Sequence, residues 1–139
     1  MDVWRRRSRH RAALLGEARV PGRAAVGRAR GDALRAVALA YRDWAVEHPG
    51  LYTAAQGAPR PEDAEDAAAT EAVVSVVFDV LRGYDVDDDV LVDATRTLRA
   101  GLHGFVALEA VGGFAMARPL GDSMAWWLDS LDGALATAG

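Results

Sequence analysis

No cysteine occurs anywhere in the chain. Disulfides and thiolate metal sites are therefore excluded, and a reducing cytoplasm is compatible with the sequence. Lysine is absent as well, so all 16 basic residues are arginine; beside abundant Ala and Gly this points to GC-rich coding rather than to function. Proline is scarce, at 5 of 139 residues, while 51% of residues are hydrophobic, the balance of a folded domain with a real core. No apolar run approaches the ~20 residues of a bilayer-spanning helix, so no membrane segment is expected. His10, His48 and His103 are far apart and form neither HxxxH nor HExxH, so no metal site is expected. Ser8, Ser75, Ser123 and Ser130 lack the glycine-flanked nucleophile pattern. No phosphate-binding glycine fingerprint occurs. Neither catalytic residues nor a cofactor are expected.

The charge that is present is unevenly placed. Residues 1–30 hold nine Arg against Asp2 and Glu17, a net +7, whereas residues 31–139 hold seven Arg against 18 acids, a net −11. The chain therefore divides into a basic, irregular or partly helical segment over residues 1–31 and a helical domain over residues 32–139. The run Arg5-Arg6-Arg7 reads either as a solvated terminus or as a phosphate-contacting arm. It is not expected to be an export signal, because no apolar stretch of ~7–15 residues follows it.

Apolar spacing predicts an all-α fold of five to six helices. A weak helix is expected over residues 4–18, followed by a stretch broken by Pro21, Gly22, Gly27 and Gly31. A strong helix follows, capped by Asp32, with Leu34, Val37, Tyr41, Trp44 and Ala45 on one face. His48-Pro49-Gly50 stops it, and a short helical turn follows over residues 51–56. After a loop at residues 57–61, a helix over residues 62–82 opens on acidic side chains, runs into the apolar Val73–Leu81 stretch as the most buried helix, and closes at Gly83. A fourth helix over residues 87–111 begins at the aspartate run Asp85–Asp89. That run opens like a calcium loop, but Val90 and Arg96 stand where Gly and Glu are needed, so helix capping is the reading adopted. Pro119 opens the last helix, over residues 120–136, whose stripe is Leu120, Met124, Trp127, Leu128, Leu131 and Leu135.

Two features ask for a partner. Gly101 and Gly104 each cost the fourth helix about 1 kcal/mol relative to Ala, which close approach of another helix or a ligand would explain. Trp126 and Trp127 point about 100° apart; either both pack inside one chain, or the last two helices form a dimer interface through Leu98, Leu102, Met124, Trp126, Trp127 and Leu131. Tyr41, Trp44, Tyr52, Phe78, His103 and Phe105 have the composition of an apolar small-molecule pocket; an ordinary core is the alternative for each. His103 must find a partner if buried.

The block Leu34–Tyr52, LRAVALAYRDWAVEHPGLY, followed by Leu98–Phe114, LRAGLHGFVALEAVGGF, resembles the C-terminal domain of TetR-type transcriptional regulators, in the subgroup marked by a Trp…His-Gly pattern. Trp44 and His103-Gly104 stand at those signature positions, and the resemblance covers residues 24–137. It implies an all-helical domain that senses a small apolar or aromatic effector and forms a cytoplasmic homodimer through its last two long helices. The chain departs from the family at its start. The 31 residues before Asp32 offer mainly Leu14, Leu15, Val20 and Val26 to a helix-turn-helix core. DNA binding is expected to be absent or residual in this chain, arising only from a reader domain or from the Arg-rich N-terminus. Two further readings are an interaction protein that heterodimerises with full-length relatives and a small helical enzyme pairing His103 with a carboxylate.

Overall fold

The computed structural model describes residues 30–56, 75 and 77–139. The helix expected over residues 4–18, the broken stretch after it and the loop and opening turns at 57–74 lie outside the described residues. Within them, the elements are α1 (Arg30–Glu47), α2 (Pro49–Ala55), the helical residues 77–82, α3 (Asp88–Ala110) and α4 (Leu120–Ala138), with no strand among the described residues.

Local chemistry sets most of the boundaries. α1 begins before Asp32, which lies in its first turn rather than capping it and still complements the helix dipole there. Pro49 cannot donate a backbone hydrogen bond, so α1 ends at Glu47 and the proline opens α2, where a missing N–H costs nothing. The aspartate run does cap α3: Asp87 accepts from the Val90 amide at 2.9 Å. α3 closes in a Schellman arrangement, with Gly113 N–H on Leu108 O at 2.7 Å, Gly112 N–H on Glu109 O at 3.1 Å and Gly112 at φ 68°. Helical residues 77–82 end where expected, just before Gly83. Three successive i→i−3 bonds carry the chain to Asp85 N–H on Arg82 O, and Asp85, at φ 57°, takes the left-handed position.

α1 lies against both α3 and α4, which pack on each other, and α2 rests on α1. Leu34, Val37 and Ala38 of α1 meet Leu91, Ala94, Leu98 and Leu102 of α3, Met124, Leu128 and Leu135 of α4, and Val80, Leu81 and Tyr84. These positions follow the i, i+3, i+4 rule that puts one helical stripe inward. Leu98, Leu102 and Met124 are 0%, 3% and 1% exposed within a single chain. Of the residues named for an interface, these three are enclosed in the core of a single chain. Trp127 and Leu131 also pack against this core, whereas Trp126 is 70% exposed.

Gly101 has a clear packing reason. A Cβ there would fall 2.6 Å from Cη2 and 2.7 Å from Cε2 of Trp127, because the indole lies flat on the glycine. Gly104 has none among the described residues, since nothing there lies within 4 Å of the position its Cβ would take. Polar clamps complete the bundle. Arg35 ties α1 to α4 through Asp129 (Nε 2.8 Å, Nη2 2.5 Å), and the Tyr84 hydroxyl donates to Asp132 at 2.5 Å. Arg42 grips Glu109 of α3 with both arms, at 2.9 Å and 2.5 Å.

Candidate ligand-binding site

Beside the main core, α1, α2 and α3 enclose a second and smaller apolar cluster. Ala45, Tyr52 and Val106 form its buried centre, and Tyr41 and Trp44 pack against it. The sequence produces it in two steps. Positions 41, 44, 45 and 48 share one face of α1 and its end. The Pro49 break then starts α2, which brings Tyr52 over that face, while α3 supplies His103 and Val106 one turn apart.

The aromatic geometry is specific. Tyr41 meets Tyr52 edge to face, with centroids 5.9 Å apart at 83°. Tyr52 stacks on His103 at 5.8 Å, and its hydroxyl is hydrogen-bonded to His103 Nδ1 at 2.5 Å. Burial holds the Tyr52 phenol well above the ordinary tyrosine range, and the neighbouring Tyr41 hydroxyl pushes the same way. Trp44 stacks on His48 at 5.5 Å, and His48 Nδ1 donates to the Trp44 carbonyl at 3.0 Å. Trp44 Nε1 is buried without a hydrogen-bond partner among the described residues. A buried donor left unpaired costs on the order of 1–3 kcal/mol.

Of the six pocket candidates, Tyr41, Trp44, Tyr52 and His103 come together here. Phe78 and Phe105 do not join them. Phe78 packs on the main core beneath Arg82, whose guanidinium carbon is 6.0 Å from the ring centroid. Phe105 stacks between Phe114 at 5.6 Å and Trp127 at 5.4 Å, on the α4 side of α3. His103, considered above as half of a catalytic pair with a carboxylate, has Nδ1 occupied by the Tyr52 hydroxyl instead. Sequence reasoning passed over two members. His48 could have been found, because it lies four residues after Trp44. The Arg42–Glu109 clamp joins residues 67 positions apart and carries no local signal.

Tyr84 behaves like Tyr52: burial first, then the Asp132 carboxylate, raise its phenol well above the usual range. Both groups are raised on folding, so their stabilisation is fully present below pH ~10 and is lost as pH rises beyond it, where the unfolded chain releases protons that the native chain keeps. Each tyrosine removes about 1.4 kcal/mol per pH unit above pH ~10. Urea unfolding between pH 9 and 12 is expected to show this slope, and Tyr52→Phe and Tyr84→Phe should each flatten it. An unchanged slope in both variants would contradict the buried-phenol account.

The described residues form an all-helical domain with a bundled core, an aromatic side cluster and a packed pair of long last helices. Residues 34–131 match the model of the tetracyclin repressor-like C-terminal domain. The chain belongs to that family, the TetR-type transcriptional regulators. It is 41% identical over 91 residues to a protein named uncharacterized HTH-type transcriptional regulator Rv0681 from Mycobacterium tuberculosis, a match covering 65% of this chain and 42% of the relative. It is 33% identical over 100 residues to one named uncharacterized HTH-type transcriptional regulator YobS from Bacillus subtilis, covering 70% of this chain and 51% of the relative. The chain thus spans about half the length, or less, of the curated relatives it matches. The family is one of regulators, not enzymes. Among the described residues no helix is long and apolar enough to cross a membrane.

Proposed function

We propose that this chain is the effector-sensing and dimerising part of a cytoplasmic TetR-type regulator. It binds a small apolar or aromatic molecule at the Tyr41–Trp44–Tyr52–His103 cluster and pairs with a second copy through the outer face of α3 and α4. That outer face is the observation that carries the reading. Gly104 and Leu108 lie three and seven residues beyond Gly101 on α3, toward the α3–α4 turn, and Ser130 and Ala134 lie at the same spacings beyond Trp127 on α4, away from it, so the two stripes leave the Gly101–Trp127 contact in opposite directions along this antiparallel pair. The strip combines small or polar side chains with exposed Leu108 (47%), Val111 (78%) and Trp126 (70%). Such a strip suits close helix-on-helix approach, and a large exposed apolar patch on a folded domain marks a contact surface.

The acidic body supports a division of labour. Residues 31–139 carry seven Arg against 18 acids, a field that repels nucleic-acid phosphate. DNA contact is therefore assigned outside this helical body. Sedimentation at micromolar concentration is expected to give twice the 14.8 kDa of one chain. Thermal unfolding should rise in the presence of members of a panel of uncharged aromatic compounds. A monomer, together with no thermal shift against any compound of the panel, would overturn the reading.

A further inference from the structure

The proposed effector site has a polar inventory that narrows what it takes, an argument that rests on the sensing role above. The Tyr52 hydroxyl and His103 Nδ1 are bound to each other, and His48 Nδ1 is bound to the Trp44 carbonyl. The cation nearest in sequence, Arg42, is held by Glu109 through both of its arms. Arg99, one turn before His103 on α3, is exposed to solvent. Among the buried side-chain nitrogens and oxygens of the described residues, Trp44 Nε1 alone has no partner. An indole nitrogen only donates, so what this buried group lacks is an acceptor. Its walls are ring faces and edges of Tyr41 and Tyr52 with Ala45 and Val106, surfaces that favour an aromatic ligand and give no compensation to a buried charge.

We propose that the effector is a neutral aromatic compound bearing a hydrogen-bond acceptor, of the aryl ketone or aryl ether class, with the acceptor on Trp44 Nε1 and the ring against Tyr41 and Tyr52. The indole N–H selects for the acceptor, because a pure hydrocarbon leaves that donor as unsatisfied as it is in the free protein, while an aryl ketone completes it.

The test uses two probes of matched shape, acetophenone and α-methylstyrene, on the 139-residue chain. Trp44→Phe is expected to weaken acetophenone binding about tenfold, the worth of about one neutral hydrogen bond, and to leave α-methylstyrene within about twofold. In ¹⁵N-labelled wild-type protein, the Trp44 indole proton should move downfield with acetophenone and not with α-methylstyrene. That signal is assigned by elimination from Phe replacements at Trp4, Trp126 and Trp127, so the test stands even if Trp44→Phe fails to fold. Equal losses for both probes, or binding of both with no selective indole shift, would overturn the acceptor proposal and leave the sensing role intact. Binding of neither probe would overturn both.

Discussion

Replacing Trp126 by glutamate is expected to raise the dimer dissociation constant about a hundredfold or more while leaving the single chain folded. The indole is 70% exposed on α4, so the chain itself loses little when it is removed; surface substitutions of this kind stay within about 0.5 kcal/mol. At a helix-on-helix interface the same side chain is of the type that dominates binding, and truncating a central Trp costs about 2–4 kcal/mol. Equilibrium sedimentation paired with urea unfolding reads the two effects separately. Gly104→Ala sharpens the contrast. The position is open in one chain, so alanine should stabilise the monomer by up to about 1 kcal/mol through helix propensity. Between two copies the added methyl separates the helices and weakens the dimer. If Trp126→Glu and Gly104→Ala both leave assembly unchanged, the outer face of α3 and α4 is not the contact surface.

Gly101→Val is expected to destabilise the fold by about 3 kcal/mol, lowering the unfolding midpoint by on the order of 10 °C. The Trp127 indole occupies the space that any side chain at 101 needs. Moving the ring also breaks its contact with Phe105, whose centroid lies 5.4 Å away. The modest helix-propensity gain over glycine, a few tenths of a kcal/mol, is too small to offset this. Calorimetry checks the size of the effect, and Gly101→Val combined with Trp127→Leu should recover part of the loss because the two changes share one volume. A double variant no more stable than Gly101→Val alone would mean the clash lies elsewhere.

These two glycines also show where the sequence could and could not be read. Both stood out, because glycine inside a helix needs a reason, and periodicity placed them on a packing helix. It could not say that one is filled by Trp127 of the same chain and the other by nothing among the described residues. The same limit applies to Leu98, Leu102 and Met124. A 3.6-residue stripe identifies an apolar face, but not what covers it; these three lie in the core shared by α1, α3, α4 and Val80–Tyr84. Capping was legible where it rests on one short contact, as at Asp87, and misplaced at Asp32, which lies inside the first turn of α1. In the candidate site, Tyr41 and Trp44 follow from one helical face. The Tyr52–His103 hydrogen bond joins residues 51 apart, a pairing that local spacing does not encode. Phe78 and Phe105 share the chemistry of that group but sit on faces turned to other neighbours.

The break at Pro49 has a consequence for how such a site could report its contents. Without it, α1 would run on through Tyr52 as one rod, and any displacement of that ring would have to bend a helix already fixed to α3 and α4 by Arg42 and Arg35. With it, Tyr52 rides on a separate piece of seven residues, too short to hold helical shape by itself. The order of α2 is thus borrowed from whatever Tyr52 is packed against, and the joint at His48 lets that dependence be felt locally while the bundle keeps its shape.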